Sequence, residues 1–216
     1  MSVRSRFTAF ALLGLGVLVP LKGQAEGEEA RQMGQQLTAL NLPLGEAGRI
    51  TLHLPTNWTV AENDFAGTLP GALQAHHGRA DNPFSVLVFT ANMGAAPPNA
   101  DVIDTVAEAM IQNYVGENAA ILAKPVLQRR GPVAGLDPNA TVSRSYAFIA
   151  DKTATEGQAQ IQLTLIADGT LRYGILVMTS LVEDAESAAA LSNQQSAMLA
   201  YDLAVKDVVR RVASKR

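Results

Sequence analysis

The stretch Gln158–Leu181 limits what this chain can fold into more than any other. Ala159, Ile161, Leu163, Leu165 and Ala167 alternate with Gln158, Gln160, Gln162 and Thr164, the period-two pattern of a half-buried strand. Asp168-Gly169 tolerates the positive φ of a tight reversal, so a second strand returns beside the first. Ile175, Leu176, Val177 and Met178 make that second strand apolar on both faces, as in a sheet covered on both sides. From Ser187 to Val212 the spacing predicts a helix. Its stripe of Leu191, Met198, Tyr201, Val205, Val208 and Val212 would cover the hairpin. Lys206, Asp207, Arg210 and Arg211 fall at its flanks or outside, the basic ones suited to the negative end of the helix dipole.

Other strands read the same way. Arg49–Leu54 alternates, Ala72–Gly78 is less regular, and Phe84–Ala91 is a strong buried strand. Ile121–Gln128 ends in Arg129-Arg130, and Thr141–Ile149 follows a turn-rich stretch from Gly131 to Asn139. A helix is expected after Asp101 as N-cap, with Val102, Ile103, Val106, Met110 and Tyr114 on its inner face and Gly116 at its end. Glu26–Leu40, with Met33, Leu37 and Leu40 at helical spacing, reads as a short helix or a leader.

The N-terminus carries Arg4 and Arg6, an apolar run from Phe7 to Val19, and the small-x-small site Gly23-Gln24-Ala25. That is the layout of a secretory signal peptide, and the run falls short of the roughly 20 residues a spanning helix needs. Cleavage after Ala25 is expected, with a periplasmic or secreted product. The expected organisation is a signal peptide at 1–25, a leader or short helix at 26–45 and one α+β domain at 46–216. Losing Arg4, Arg6 and Lys22 takes the formal net charge from −3 to −6, which argues against nucleic acid and anionic membranes as partners. There is no cysteine, so disulfides, thiol chemistry and thiolate metal sites are excluded.

Candidate chemistry is sparse. His76 and His77 fall on opposite faces if their strand is extended and then cannot both bind one metal. Asp81 in the following turn is a conceivable third ligand, but zinc needs at least three that converge, and surface or sheet-edge histidines are the favoured reading. Asp101, Asp104, Glu183 and Asp184 sit at expected helix starts, where capping explains them. Ser143 and Ser145 lie in no G-x-S-x-G elbow, and Gly131–Gly135 lacks the Gly-Lys-Ser/Thr of a phosphate loop. No catalytic, cofactor or metal residue is therefore assigned, and a hydrolase ranks last among the readings. Arg129, Arg130, Arg144 and Arg172 on neighbouring strands form a candidate basic patch for an acidic partner. The row Gln158, Gln160, Gln162 has to be wet or hydrogen-bonded, and were it an edge, a partner strand would add there. Trp58, the single tryptophan, reads as a plug at a sheet edge and secondarily as a contact for a partner. Met93, Met110, Met178 and Met198 suit the walls of a cavity between sheet and first helix, the basis of a rival reading as a small-ligand or lipid carrier.

The strand running into Leu54-Pro55-Thr56-Asn57-Trp58, the apolar strand 84–91 before a helix, the glycine turn leading into Ser143-Arg144-Ser145-Tyr146-Ala147-Phe148, and the D-G-T-L-R-Y-G-I-L-V-M hairpin before a terminal helix together resemble the superfamily of Mog1 and the PsbP-type proteins. The resemblance covers about residues 46–214. It implies a three-layer α/β/α sandwich, a largely antiparallel sheet flanked by helices. It also implies non-enzymatic protein binding: Mog1 binds a small GTPase, PsbP proteins dock on photosystems, and some bacterial relatives are adaptors for secretion effectors. No functional residue of the family is carried over.

Overall fold

Two antiparallel sheets and two helices make up the described chain, in the order β1 (Leu37–Pro43), β2 (Arg49–Pro55), β3 (Thr59–Ala61), β4 (Leu73–Arg79), β5 (Asn82–Asn92), α1 (Ala100–Glu117), β6 (Leu122–Gly131), β7 (Val142–Lys152), β8 (Gln158–Asp168), β9 (Leu171–Ser180) and α2 (Ala188–Ala213). The computed structural model describes residues 36–43, 48–61, 72–79, 82–92, 99–137, 141–153, 157–168, 171–180 and 188–214. Of 61, 78–79, 82–84, 91–92, 171–180 and 188–191 it describes the backbone alone. They belong to one compact unit, Gln36–Arg216. The expected signal peptide, Asp81, Met93, Glu183 and Asp184 lie outside the described residues.

The large sheet runs β3-β4-β5-β9-β8-β7-β6. The predicted hairpin is at its centre, with β8 and β9 in register from Ala159↔Ser180 to Asp168↔Leu171. Period two then divides β8 between two cores. Ala159, Ile161, Leu163, Leu165 and Ala167 pack with Ile103, Ala107, Ile111 and Val115 of α1. Ile166 packs on the other face with Ala197, Ala200, Tyr201, Ala204 and Val208 of α2. Helices thus cover both faces, which is the three-layer α+β sandwich.

β1 and β2 form a separate two-stranded sheet. Ile50, Leu52 and Leu54 of β2 join the α2 core. This corrects the helical reading of Leu37–Leu40: the three-residue spacing of two leucines fits a strand as well as a helix, and pairing of Leu37 with Pro55 and Leu40 with Leu52 decides it. The α1 expectations also shift. Asn99 is the N-cap, its side chain accepting from Val102 N–H at 2.9 Å, and Asp101 lies in the first turn. The helix continues through Glu117 to the C-cap Asn118. Its buried stripe is Ile103, Ala107, Ile111 and Val115, while Val102 is exposed and Val106, Met110 and Tyr114 are partly buried at the flank.

The outer strands differ. β3 has three residues and offers little edge. β6 has ten, but its register against β7 slips twice, between Ala123 and Val126 and between Leu127 and Arg129. Lys124 holds a positive φ of 49° just before Pro125. Bulges, a proline and lysine are devices that discourage a foreign strand from pairing.

Candidate functional site

Alternation along β6 and β7 sorts their polar residues onto two faces. Register pairs Arg129 with Ala147, Arg130 with Tyr146 and Gly131 with Ser145. On the α1 side, Asp104 gathers three partners. Tyr146 donates its hydroxyl to Oδ1 at 2.6 Å, and Arg130 donates to Oδ2 at 2.7 Å. Arg144 Nε stands 3.2 Å from Oδ1, an ion pair whose N–H is not aligned to donate. Burial, and then the Asp104 hydrogen bond, push the Tyr146 phenol well above its ordinary value, so it stays a donor. This cluster ties α1 to the sheet.

On the α2 side three hydroxyls form a chain. Tyr201 OH lies 2.5 Å from Thr164 Oγ1, which lies 2.7 Å from Ser145 Oγ. Thr164 is fully buried and Tyr201 nearly so. Burial raises the Tyr201 pKa, with its hydroxyl partners acting the other way, and the field of Asp202 and that of Arg129 act in opposite senses. Beside this chain is a cavity of about 250 Å³ lined by Arg129, Gly131, Pro132, Ser145, Tyr146, Ala147 and Gln162. Gln162 is 6% exposed. The loop after β6 flanks it: Val133 is buried in the α2 core and Leu136 packs on that core. Gly135, at φ +86°, passes so near α2 that a Cβ would meet Val209 at 3.3 Å.

The outer strand β6 carries exposed apolar side chains between cations. Val126 is 55% and Leu127 38% exposed. Lys124, with 83% of its side chain exposed, is 3.9 Å from Asp151. Arg129 is exposed and, among the described residues, has no carboxylate in ion-pair contact.

The basic patch expected from the sequence is divided. Arg129 faces the α2 side; Arg130 and Arg144 are on the α1 side, where both pair with the single carboxylate of Asp104. Arg172 pairs through its backbone with Ala91 and Ala167, its side chain lying outside the described residues. The glutamine row is on an interior strand, between β7 and β9. No partner strand can add to β8, which removes that use of the row. Gln158 is exposed and donates to Asp151 at 3.3 Å, Gln160 is half-buried, and Gln162 is the one turned into the cavity. Trp58 is 7% exposed, stacks on His77 with centroids 5.6 Å apart, and donates Nε1–H to Ser196 Oγ at 3.0 Å. Its place is in the core. His77 also reaches Asn193 Oδ1 at 3.0 Å, and alternation along β4 turns His76 the other way. Among the described residues no group of three or more His, Cys, Asp or Glu converges.

Sequence reasoning missed the hydroxyl chain and Asp207. The available signals were Ser145 and Thr164 at same-face positions of adjacent strands and Tyr201 as the lone aromatic of the terminal helix. Asp207 is 4% exposed rather than at the helix flank, because it is bonded to His53 of β2.

Comparison with family models and with curated proteins finds no match. Among solved structures, the Ran-binding protein Mog1p of Saccharomyces cerevisiae is similar with a TM-score of 0.49 and 13% identity, over 82% of this chain and 95% of that one. Cyanobacterial PsbP from Synechocystis gives 0.48 and 11%, over 74% and 91%. A Pseudomonas aeruginosa protein of unknown function, described as a putative regulator, gives 0.33 and 11%, over 76% and 91%.

Proposed function

We propose that this chain is an exported, non-enzymatic protein that acts by binding another protein, with the outer strand β6 as the contact. One observation carries the reading: Val126 and Leu127 are exposed on an outer strand between Lys124 and Arg129. Alternation turns Val126 and Leu127 to opposite faces of that edge, so the arrangement suits a partner that grips the edge with apolar groups flanked by carboxylates. The bulges and Pro125 work against strand pairing, so the partner engages side chains of β6. The partly buried Asp104 and the buried Asp207 are engaged by fold-holding partners, which supports a binding role over acid–base work. Export rests on the N-terminal signal sequence, and among the described residues no helix is long and apolar enough to cross a membrane.

Affinity capture with the tagged chain in its own host, beside Val126→Asp and Leu127→Asp, tests this. A stoichiometric partner lost from both variants, whose melting temperatures match the parent, is the expected result. Retention of the partner by both variants removes β6 from the account, and a chain that fractionates with the cytoplasm removes export.

The carrier reading has one observation in its favour, the cavity beside Gln162. It is on the α2 side of the sheet, opposite the side expected from the methionines. At about 250 Å³ it is smaller than the roughly 300–1,000 Å³ of drug-sized ligand sites, too small for a lipid chain.

A further inference from the structure

We propose that the cavity among β6, β7 and β8 is a binding site for a carboxylate group, held by the Arg129 guanidinium together with the Ser145 hydroxyl and the Gln162 amide. The inference concerns a cavity on one face of the sheet and shares Arg129 with the docking of a protein on the β6 edge; Ser145 and Gln162 belong to the cavity alone.

Three observations carry it. Gln162 is 6% exposed, lines the cavity, and among the described residues its amide has no hydrogen-bond partner. That amide opens onto the cavity and is not sealed in the core, so a ligand that accepts from its NH2 group there takes the place of water. Second, the chain Tyr201–Thr164–Ser145 supplies a directed donor. Either hydroxyl of each pair is able to donate; the greater acidity of a phenol favours the order Tyr201 to Thr164 to Ser145, and in that order the Ser145 proton is free for the cavity. Such chains strengthen each successive bond. Third, Arg129 lines the same cavity and has no ion-pair partner among the described residues. Its planar fork fits the two oxygens of a carboxylate. Donors from a guanidinium, a hydroxyl and an amide thus meet in a volume of about 250 Å³, enough for a small organic acid or the terminal residue of a peptide.

Nuclear magnetic resonance titration of the isotope-labelled chain tests it, reading the Gln162 side-chain amide and the Ser145 backbone amide. The probes are acetate, succinate, an N-acetylated tripeptide with a free C-terminal carboxylate, and the same tripeptide amidated; sodium chloride at matched ionic strength is the control. Saturable shifts at both reporters with at least one carboxylate, weakened about tenfold or more in Arg129→Met, are expected. Stronger binding of the free-ended tripeptide than of succinate, with none by its amide, makes a peptide end the source; the reverse order makes it a free organic acid. Gln162→Leu is a second variant, to be melted beside the parent so that loss of binding is separated from loss of fold. No saturable shift with any carboxylate overturns the proposal, and so do equal shifts with chloride or unchanged affinity in a folded Arg129→Met.

Discussion

Asp207 of α2 stands in for a neighbouring strand along the edge of β2: its Oδ2 accepts the backbone N–H of His53 at 2.7 Å. The His53 ring Nδ1 lies 3.1 Å from both carboxylate oxygens, and Arg210 donates to Oδ1 at 3.2 Å. Burial raises the Asp207 pKa above its ordinary 3.8, with the His53 contacts and Arg210 opposing. An acid raised in this way adds stability that is complete below its unfolded value and is lost as pH rises through its folded value. Asp207→Asn removes the buried charge and keeps an acceptor for His53, whereas Asp207→Ala leaves that N–H bare. The alanine variant should lose about 1–3 kcal/mol near neutral pH, and the asparagine variant clearly less. Urea denaturation from acid to neutral pH checks both. The asparagine variant should also lack the fall in stability through the Asp207 titration.

The hydroxyl chain on the other part of α2 predicts coupling. Thr164→Val strands the Tyr201 and Ser145 hydroxyls, and Tyr201→Phe strands only one acceptor. Each should destabilise by about 1–3 kcal/mol, with the valine worse. The double variant should cost less than the sum, because both singles break the same bond. Additive losses would show that Thr164 and Tyr201 do not share it.

The corrected face of α1 separates two residues that sequence spacing grouped together. Ile111→Ala should cost about 2–5 kcal/mol, since Ile111 is 1% exposed and its removal leaves a cavity. Val102→Ala, at an exposed position, should stay within about 0.5 kcal/mol. Thermal melts of the pair distinguish this face from the one read off the sequence.

The start of α1 gives an independent check. Asn99→Ala removes the cap and should cost about 1 kcal/mol. Asp101→Ala removes only a first-turn charge and should cost no more than about 0.3–1 kcal/mol. Reversed magnitudes would restore Asp101 as the cap.

The sequence made the central hairpin legible because period two is a local property. Ile161, Leu163 and Leu165 declare their common face without reference to any distant residue. Leu37 and Leu40 do not, since their spacing fits helix and strand alike and only pairing with β2 separates them. Asp207 was read as a flank charge because its partner is 154 positions away. Gln158, Gln160 and Gln162 form one row in sequence, yet they grade from exposed to buried as β8 runs under its neighbours. Arg129 and Arg130 are adjacent, and the same alternation sends them to opposite faces, where, among the described residues, only Arg130 meets an aspartate.

Site-specific photocrosslinking in the native host tests the central claim, that a partner protein docks on β6, most directly. A photoreactive residue replaces Val126 in one strain and Gln112, exposed on α1, in another. Adducts of discrete mass from position 126, absent from position 112 and diminished by Arg129→Glu, are the result this account predicts. No adduct from position 126, or the same adducts from both positions, would contradict it.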